Sequence, residues 1–266
     1  MEQARGCLEL TRPGNAVAAG GLTFVGAFVA GGLSAPAPTA FAVVATVLAT
    51  GGGNAINRPD RPIPRGAVSP RGALLFSGLL FAVAVGLTLL LPLFAVAIAL
   101  INLVALVAYT ELFKGLPGVG NALVAYLTGS TFLYGGAAVE GNLSPVVVLF
   151  ALAASATMAR EVVKDVEDAA GDREEGLRTL PIVLGRRRAL AVAAAFVVAA
   201  VVASPAPYLL GTFGLPYLVV LAPSLAIMLG ATYLAFESPA VGQRWLKVSM
   251  FAAAVAFVVG RAAVVL

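Results

Sequence analysis

Histidine is absent from this 266-residue sequence, cysteine occurs once, and Asp, Glu, Lys and Arg together make up only 11% of it. Without an imidazole there is no His-ligated metal, no Ser-His triad and no histidine proton shuttle. A lone Cys7 excludes an internal disulfide, a cysteine zinc site and an iron–sulfur cluster. Any metal is therefore expected to be a hard cation held by oxygen. Glu2, Arg5, Glu9 and Arg12 precede the first apolar run with no small-residue cleavage site, so a cleaved signal peptide is not expected.

Aliphatic carbon takes the place of charge. Apolar residues reach 60% and mean hydropathy is +0.98, against roughly 45–50% apolar and about 25% charged in ordinary soluble domains. A water-soluble fold has too little interior for that much Ala, Val and Leu, and disordered chains are poor in aliphatics. The composition predicts an all-α polytopic membrane protein. Nine apolar stretches have the length needed to cross about 30 Å of hydrocarbon: residues 15–33, 38–57, 72–91, 93–110, 118–139, 143–163, 188–204, 213–235 and 245–265.

Charge patterning tests this division. The N-terminal tail and the connections 2–3, 4–5, 6–7 and 8–9 hold every charged residue except Glu140 and Arg261, whereas connections 1–2, 3–4 and 7–8 hold none. Sixteen of the 17 basic residues thus fall on one face, which the positive-inside rule makes cytoplasmic. An even number of helices would return the C-terminus to that face, but the sequence closes on the uncharged Ala262 to Leu266. The expectation is nine transmembrane helices around a central cavity, N-terminus cytoplasmic, in one domain over residues 1–266 of the cell membrane.

Two charged connections carry the chemistry. The first runs Gly51-Gly-Gly-Asn54-Ala-Ile-Asn57-Arg58-Pro-Asp60-Arg61-Pro-Ile-Pro64-Arg65-Gly66; the second runs from Arg160 to Pro181 and includes Lys164-Asp165-Val-Glu167-Asp168 and Asp172. Asp165, Asp168 and Asp172 are spaced i, i+3, i+7, so on a helix they share one stripe, and Glu161 joins it. Arg160 and Lys164 form a neighbouring basic stripe. Crowded carboxylates repel unless a cation sits among them, and Mg²⁺ takes one or two carboxylates together with substrate phosphates. Basic side chains suit the phosphate oxygens that metal leaves uncovered. The plainer alternative is a solvated helix end whose charges pair among themselves. Both connections also follow one pattern, Arg61-Pro-Ile-Pro64 answering Arg178-Thr-Leu-Pro181, so residues 38–91 and 143–204 look like two half-sites.

These residues resemble a known family. K-D-V-E-D-A-A-G-D through R-T-L-P (164–181) is similar to the second aspartate-rich motif of UbiA-type intramembrane prenyltransferases. G-N-A-I-N and N-R-P-D-R-P-I-P resemble the flanks of their first motif, Arg12-Pro13-Gly-Asn15 their N-terminal R-P-x-N, and Tyr109 to Lys114 their loop 4–5 motif. One departure is plain: the family's first-motif aspartates fall where this sequence passes directly from Ile56 through Asn57 to Arg58. Roughly ten Asp-rich residues are expected to be missing there, given ordinary loop lengths. Omission of a disordered segment from the chain is favoured over a true deletion.

The resemblance implies Mg²⁺-dependent transfer of a prenyl group from an allylic diphosphate to an acceptor. It assigns Asp168 and Asp172, with Asp165, to the metal, and Asn54 as a further oxygen ligand. Lys164, Lys114, Arg61 and Arg65 become pyrophosphate donors, with Arg160 a lesser one. Tyr109 would line the cavity near the allylic cation and Asn15 would orient the acceptor. Arg65 and Lys114 have a lipid-headgroup alternative, and Tyr109 that of an interface aromatic. Gly20, Gly21, Gly26, Gly31, Gly32, Gly129, Gly135 and Gly136 either open a groove for the lipid tail or let helices pack closely, packing being the commoner use. The runs N-R-P-D-R-P-I-P and L-T-G-S-T-F look most like archaeal members that add a second geranylgeranyl chain to geranylgeranylglyceryl phosphate. Aromatic acceptors such as 4-hydroxybenzoate are the alternative; membrane lipids are expected partners, and nucleic acid is not. An ion-coupled transporter would place ionisable groups at helix centres, which contain essentially none.

Overall fold

The computed structural model describes residues 2–57, 68–113 and 115–266, without the side chains of residues 2–4, Ile56, Asn57 and Glu111. All regular structure among them is helical. The order is α1 (Glu2–Thr11), α2 (Pro13–Ala30), α3 (Pro36–Asn57), α4 (Pro70–Thr88), α5 (Leu93–Ala108), a π-helical turn (Tyr109–Phe113), α6 (Val119–Ala138) and α7 (Leu143–Glu174). Then come α8 (Leu180–Leu184), α9 (Arg186–Ala203), α10 (Ala206–Leu209), α11 (Pro216–Glu237) and α12 (Pro239–Val265). Each of the nine expected apolar stretches falls on one of these helices. Seven of the described helices, α2, α3, α4, α7, α9, α11 and α12, are long and apolar enough to cross a membrane. The apolar α5 is shorter, and Asn121, Thr128, Ser130 and Thr131 dilute the hydropathy of α6.

Local chemistry sets the boundaries. Proline occupies the first turn of α2, α4, α8, α11 and α12, where its missing N–H would have no intrahelical partner. At α4 the Ser69 hydroxyl also accepts from the Gly72 N–H at 3.0 Å, closing a cap. Large apolar side chains such as Leu75, Leu93 and Leu209 stay exposed. In a bilayer that exposure faces lipid, so it carries no penalty.

The chain divides into two compact units, residues 1–100 with 131–143, and residues 101–130 with 144–266. In the first, Ala42, Leu91, Ala95, Ile98, Tyr134, Ala137 and Ala138 form an apolar cluster, and the Thr88 and Tyr134 hydroxyls meet at 2.8 Å. Backbone there touches backbone. A Cβ on Gly26 would collide with the Phe132 backbone, one on Gly135 with Thr23, and one on Gly141 with Ala30. Gly20, Gly32 and, in the second unit, Gly129 are similarly crowded, while Gly21 and Gly31 face open space. Most of these glycines therefore serve close packing. In the second unit α7, α9, α11 and α12 share a core that includes Ala159, Val163, Val166, Leu190, Ala231 and Leu246.

Candidate active site

α7 positions the acidic stripe. Its buried side recurs at Val146, Leu149, Leu152, Ala156, Ala159, Val163 and Val166, three or four residues apart, as an amphipathic helix requires. About 20 residues cross a bilayer, yet α7 has 32. Its last three turns, beyond the apolar stretch 143–163, therefore project past the hydrocarbon, and they carry Lys164, Asp165, Asp168 and Asp172. Glu161, Lys164, Asp165 and Asp172 are half-buried and Asp168 is exposed.

The end of α7 is fixed by backbone geometry. Gly176 adopts φ 74°, its N–H bonds to the Arg173 carbonyl at 3.1 Å, and the Leu177 N–H bonds to that of Asp172 at 2.8 Å. These two bonds form a Schellman motif, which favours glycine at the left-handed position. The following strip lies along the α5–α6 connection: the Arg178 N–H donates to the Gly115 carbonyl at 3.0 Å, and Leu177 packs against Gly115. Gly118, at φ 76°, packs on Leu180 at the start of α6.

That arrangement brings Asn121, in the first turn of α6, onto the stripe. Its buried amide Nδ2 donates to Asp165 Oδ2 at 2.8 Å. The basic neighbours are engaged as well. Arg160 Nη1 bonds to Glu161 at 2.6 Å and its Nη2 reaches Gln243 of α12 at 3.4 Å; Lys164 Nζ lies 3.8 Å from the other Glu161 oxygen. Burial is the main influence on Asp165 and pushes its carboxyl up to about 6; the Asn121 hydrogen bond and Lys164 pull it back, and Glu161 and Asp172 add to the rise. Burial also raises Asp172, countered by the buried Thr179 hydroxyl, which approaches it without closing a well-formed hydrogen bond. A carboxylate held in this way binds a cation with less competition from water than one at an open surface.

In the first unit, near the end of the described part of α3, Asn54 Nδ2 donates to the Thr11 carbonyl at 2.9 Å. Leu10, Ala55, Val68 and Ala73 pack together there. Arg12 adopts φ 49° before Pro13, an uncommon conformation for a residue preceding proline, and Asn15 is half-buried in the first turn of α2. Tyr109, in the second unit, is half-buried and opens the π-helical turn, a feature that single-turn distortions at functional sites often show. Arg61, Arg65 and Lys114 lie outside the described residues. So does the Asn57–Arg58 junction, while Ile56 and Asn57 follow each other in continuous helix.

The structure thus gathers Arg160, Lys164, Asp165, Asp168 and Asp172 on α7. Sequence reading missed Asn121, Thr179 and Gln243 as their neighbours. Only Asn121 left a signal, a polar side chain in the first turn of an otherwise largely apolar helix. The donors are hard oxygens, as Mg²⁺ requires. Among the described residues no three carboxylates come close enough to hold a metal by themselves.

Known proteins place these features in context. The model of the UbiA prenyltransferase family matches residues 19–255. The chain is 74% identical to the digeranylgeranylglyceryl phosphate synthase of Natronomonas pharaonis, over 276 aligned positions that take in all of both chains. A solved structure concerning digeranylgeranylglyceryl phosphate synthase in membranes matches with TM-score 0.82 at 32% identity, covering 98% of this chain and 99% of that one. A UbiA homologue from Archaeoglobus fulgidus bound to GPP and Mg²⁺ shares the fold, with TM-score 0.70 and 16% identity over 98% of this chain and 100% of that one.

Proposed function

Because the chain belongs to the UbiA prenyltransferase family, we propose that it transfers a geranylgeranyl group from its diphosphate to geranylgeranylglyceryl phosphate, as a step of archaeal ether-lipid synthesis. The protein is an integral membrane prenyltransferase. The lipid acceptor rests on one observation, the 74% identity to the Natronomonas enzyme along both whole chains. In this reading nine helices of a single domain cross the cell membrane around a central cavity. The N-terminus and the active site then face the cytoplasm, on the side where sixteen of the 17 basic residues gather.

Ionisation of the allylic C–O bond leaves negative charge on pyrophosphate and positive charge on carbon; the acceptor hydroxyl then forms the new C–O bond and gives up its proton. One or two of the carboxylates of Asp165, Asp168 and Asp172 would hold Mg²⁺ beside the diphosphate, and the Asn54 amide oxygen would be a further ligand. When bound, Mg²⁺ offsets the negative charge developing on the leaving group. Lys164, Lys114, Arg61 and Arg65 donate to the phosphate oxygens, with Arg160 behind them. Tyr109 presents its ring to the allylic cation, and Asn15 orients the acceptor. Without histidine in the chain, the proton leaves to a carboxylate, to water or to the pyrophosphate released.

Membranes bearing the full chain, incubated with geranylgeranyl diphosphate, Mg²⁺ and either geranylgeranylglyceryl phosphate or 4-hydroxybenzoate, provide the test. Product with the glyceryl phosphate lipid is expected. Product with hydroxybenzoate alone overturns the acceptor assignment.

A further inference from the structure

We infer that Asn121 is a positioning residue for this reaction: it fixes one oxygen of Asp165 so that the other is presented to the metal–diphosphate site. The inference rests on the reading of the acidic stripe given above.

The pair is built, not incidental. Asn121 lies 44 residues before Asp165, is 7% exposed, and closes a 2.8 Å hydrogen bond to Oδ2. Its place is set by rigid backbone: Gly118 packs on Leu180, and Gly115 accepts from Arg178, on the strip that leaves α7. A half-buried carboxylate needs a donor, and the type of donor matters. A lysine or arginine here would satisfy Asp165 by pairing with its charge, and a cation would then have to displace it. A carboxamide donates a hydrogen bond, holds the rotamer and leaves the negative charge uncancelled. Asp165 Oδ1 remains for a ligand.

The test uses the full chain in detergent, with Mn²⁺ as probe in the presence of an unreactive thio-diphosphate analogue of the donor. Asn121→Ala is expected to fold and to raise the Mn²⁺ half-saturation about tenfold, the usual cost of removing a ligand's supporting hydrogen bond. Its kcat falls and partly recovers at high Mg²⁺. The exchange Asn121→Asp with Asp165→Asn keeps a hydrogen bond between the two positions and moves the carboxylate onto α6. It is expected to melt like the parent and to bind Mn²⁺ as weakly as Asp165→Asn alone. Parental Mn²⁺ affinity in Asn121→Ala, or its restoration by the exchange, overturns the inference and leaves a packing role. Parental affinity in Asp168→Ala with Asp172→Ala instead takes down the reading of the stripe, and this inference with it.

Discussion

The ends of α3 and α7 differ in their electrostatics. The described part of α3 runs to Asn57, and its last two turns, Gly51 to Asn57, carry no charge. Gly51 and Gly52 press against Thr11 and Phe81, so that end stays near the apolar packing. α7 runs on through Lys164, Asp165, Glu167, Asp168, Asp172, Arg173 and Glu174. Carboxylates need water or a cation, and a helix bearing them has to leave the hydrocarbon before they appear. The neutral end carries amide dipoles, and the acidic end carries charge.

Removing the charge should have the largest effect. Asp168→Ala combined with Asp172→Ala makes the α7 end resemble that of α3, and turnover is expected to drop by about 10²–10³-fold in protein that still inserts and folds, measured by product formation alongside a melting curve. The converse change is to insert a ten-residue segment with family-spaced aspartates between Asn57 and Arg58. It should lower the Mg²⁺ needed for half-maximal rate by about tenfold; an unchanged Mg²⁺ requirement would mean that the two ends do not act together. A smaller effect is expected for Asn54→Asp, which turns the donor to the Thr11 carbonyl into an acceptor and sets two oxygens against each other. It should cost about 1–3 kcal/mol, read as a lower melting temperature than that of Asn54→Ser. Smallest is Gly176→Ala, which strains the left-handed residue closing α7 by about 1 kcal/mol and should loosen the Asp172 turn in hydrogen exchange without moving the α3 end.

How far the sequence foretells this depends on the range of each signal. The nine apolar stretches were legible because hydropathy and charge accumulate locally, and the acidic stripe because helical spacing is written into consecutive residues. The apolar stretch ends at 163, whereas α7 continues to Glu174. Loss of hydropathy marks where a bilayer ends, whereas a helix ends at its cap, and no cap occurs before Gly176. The bond between Asn121 and Asp165 spans 44 residues, and that between Gly115 and Arg178 is likewise long-range. Periodicity holds no record of either. The φ 49° at Arg12 and the π-helical turn at Tyr109 have no counterpart in hydropathy or charge spacing.

The contacts at Gly26, Gly135 and Gly141 bear on how this chain can diverge. Lipid-facing positions can wander among Ala, Val and Leu, since one hydrocarbon surface serves the bilayer as well as another. At these three sites a single added carbon would strike the main chain of a neighbour, and a main chain has no rotamer to yield. They act as mechanical index marks, carrying the alignment of α2 and α6 unchanged through sequence drift everywhere around them.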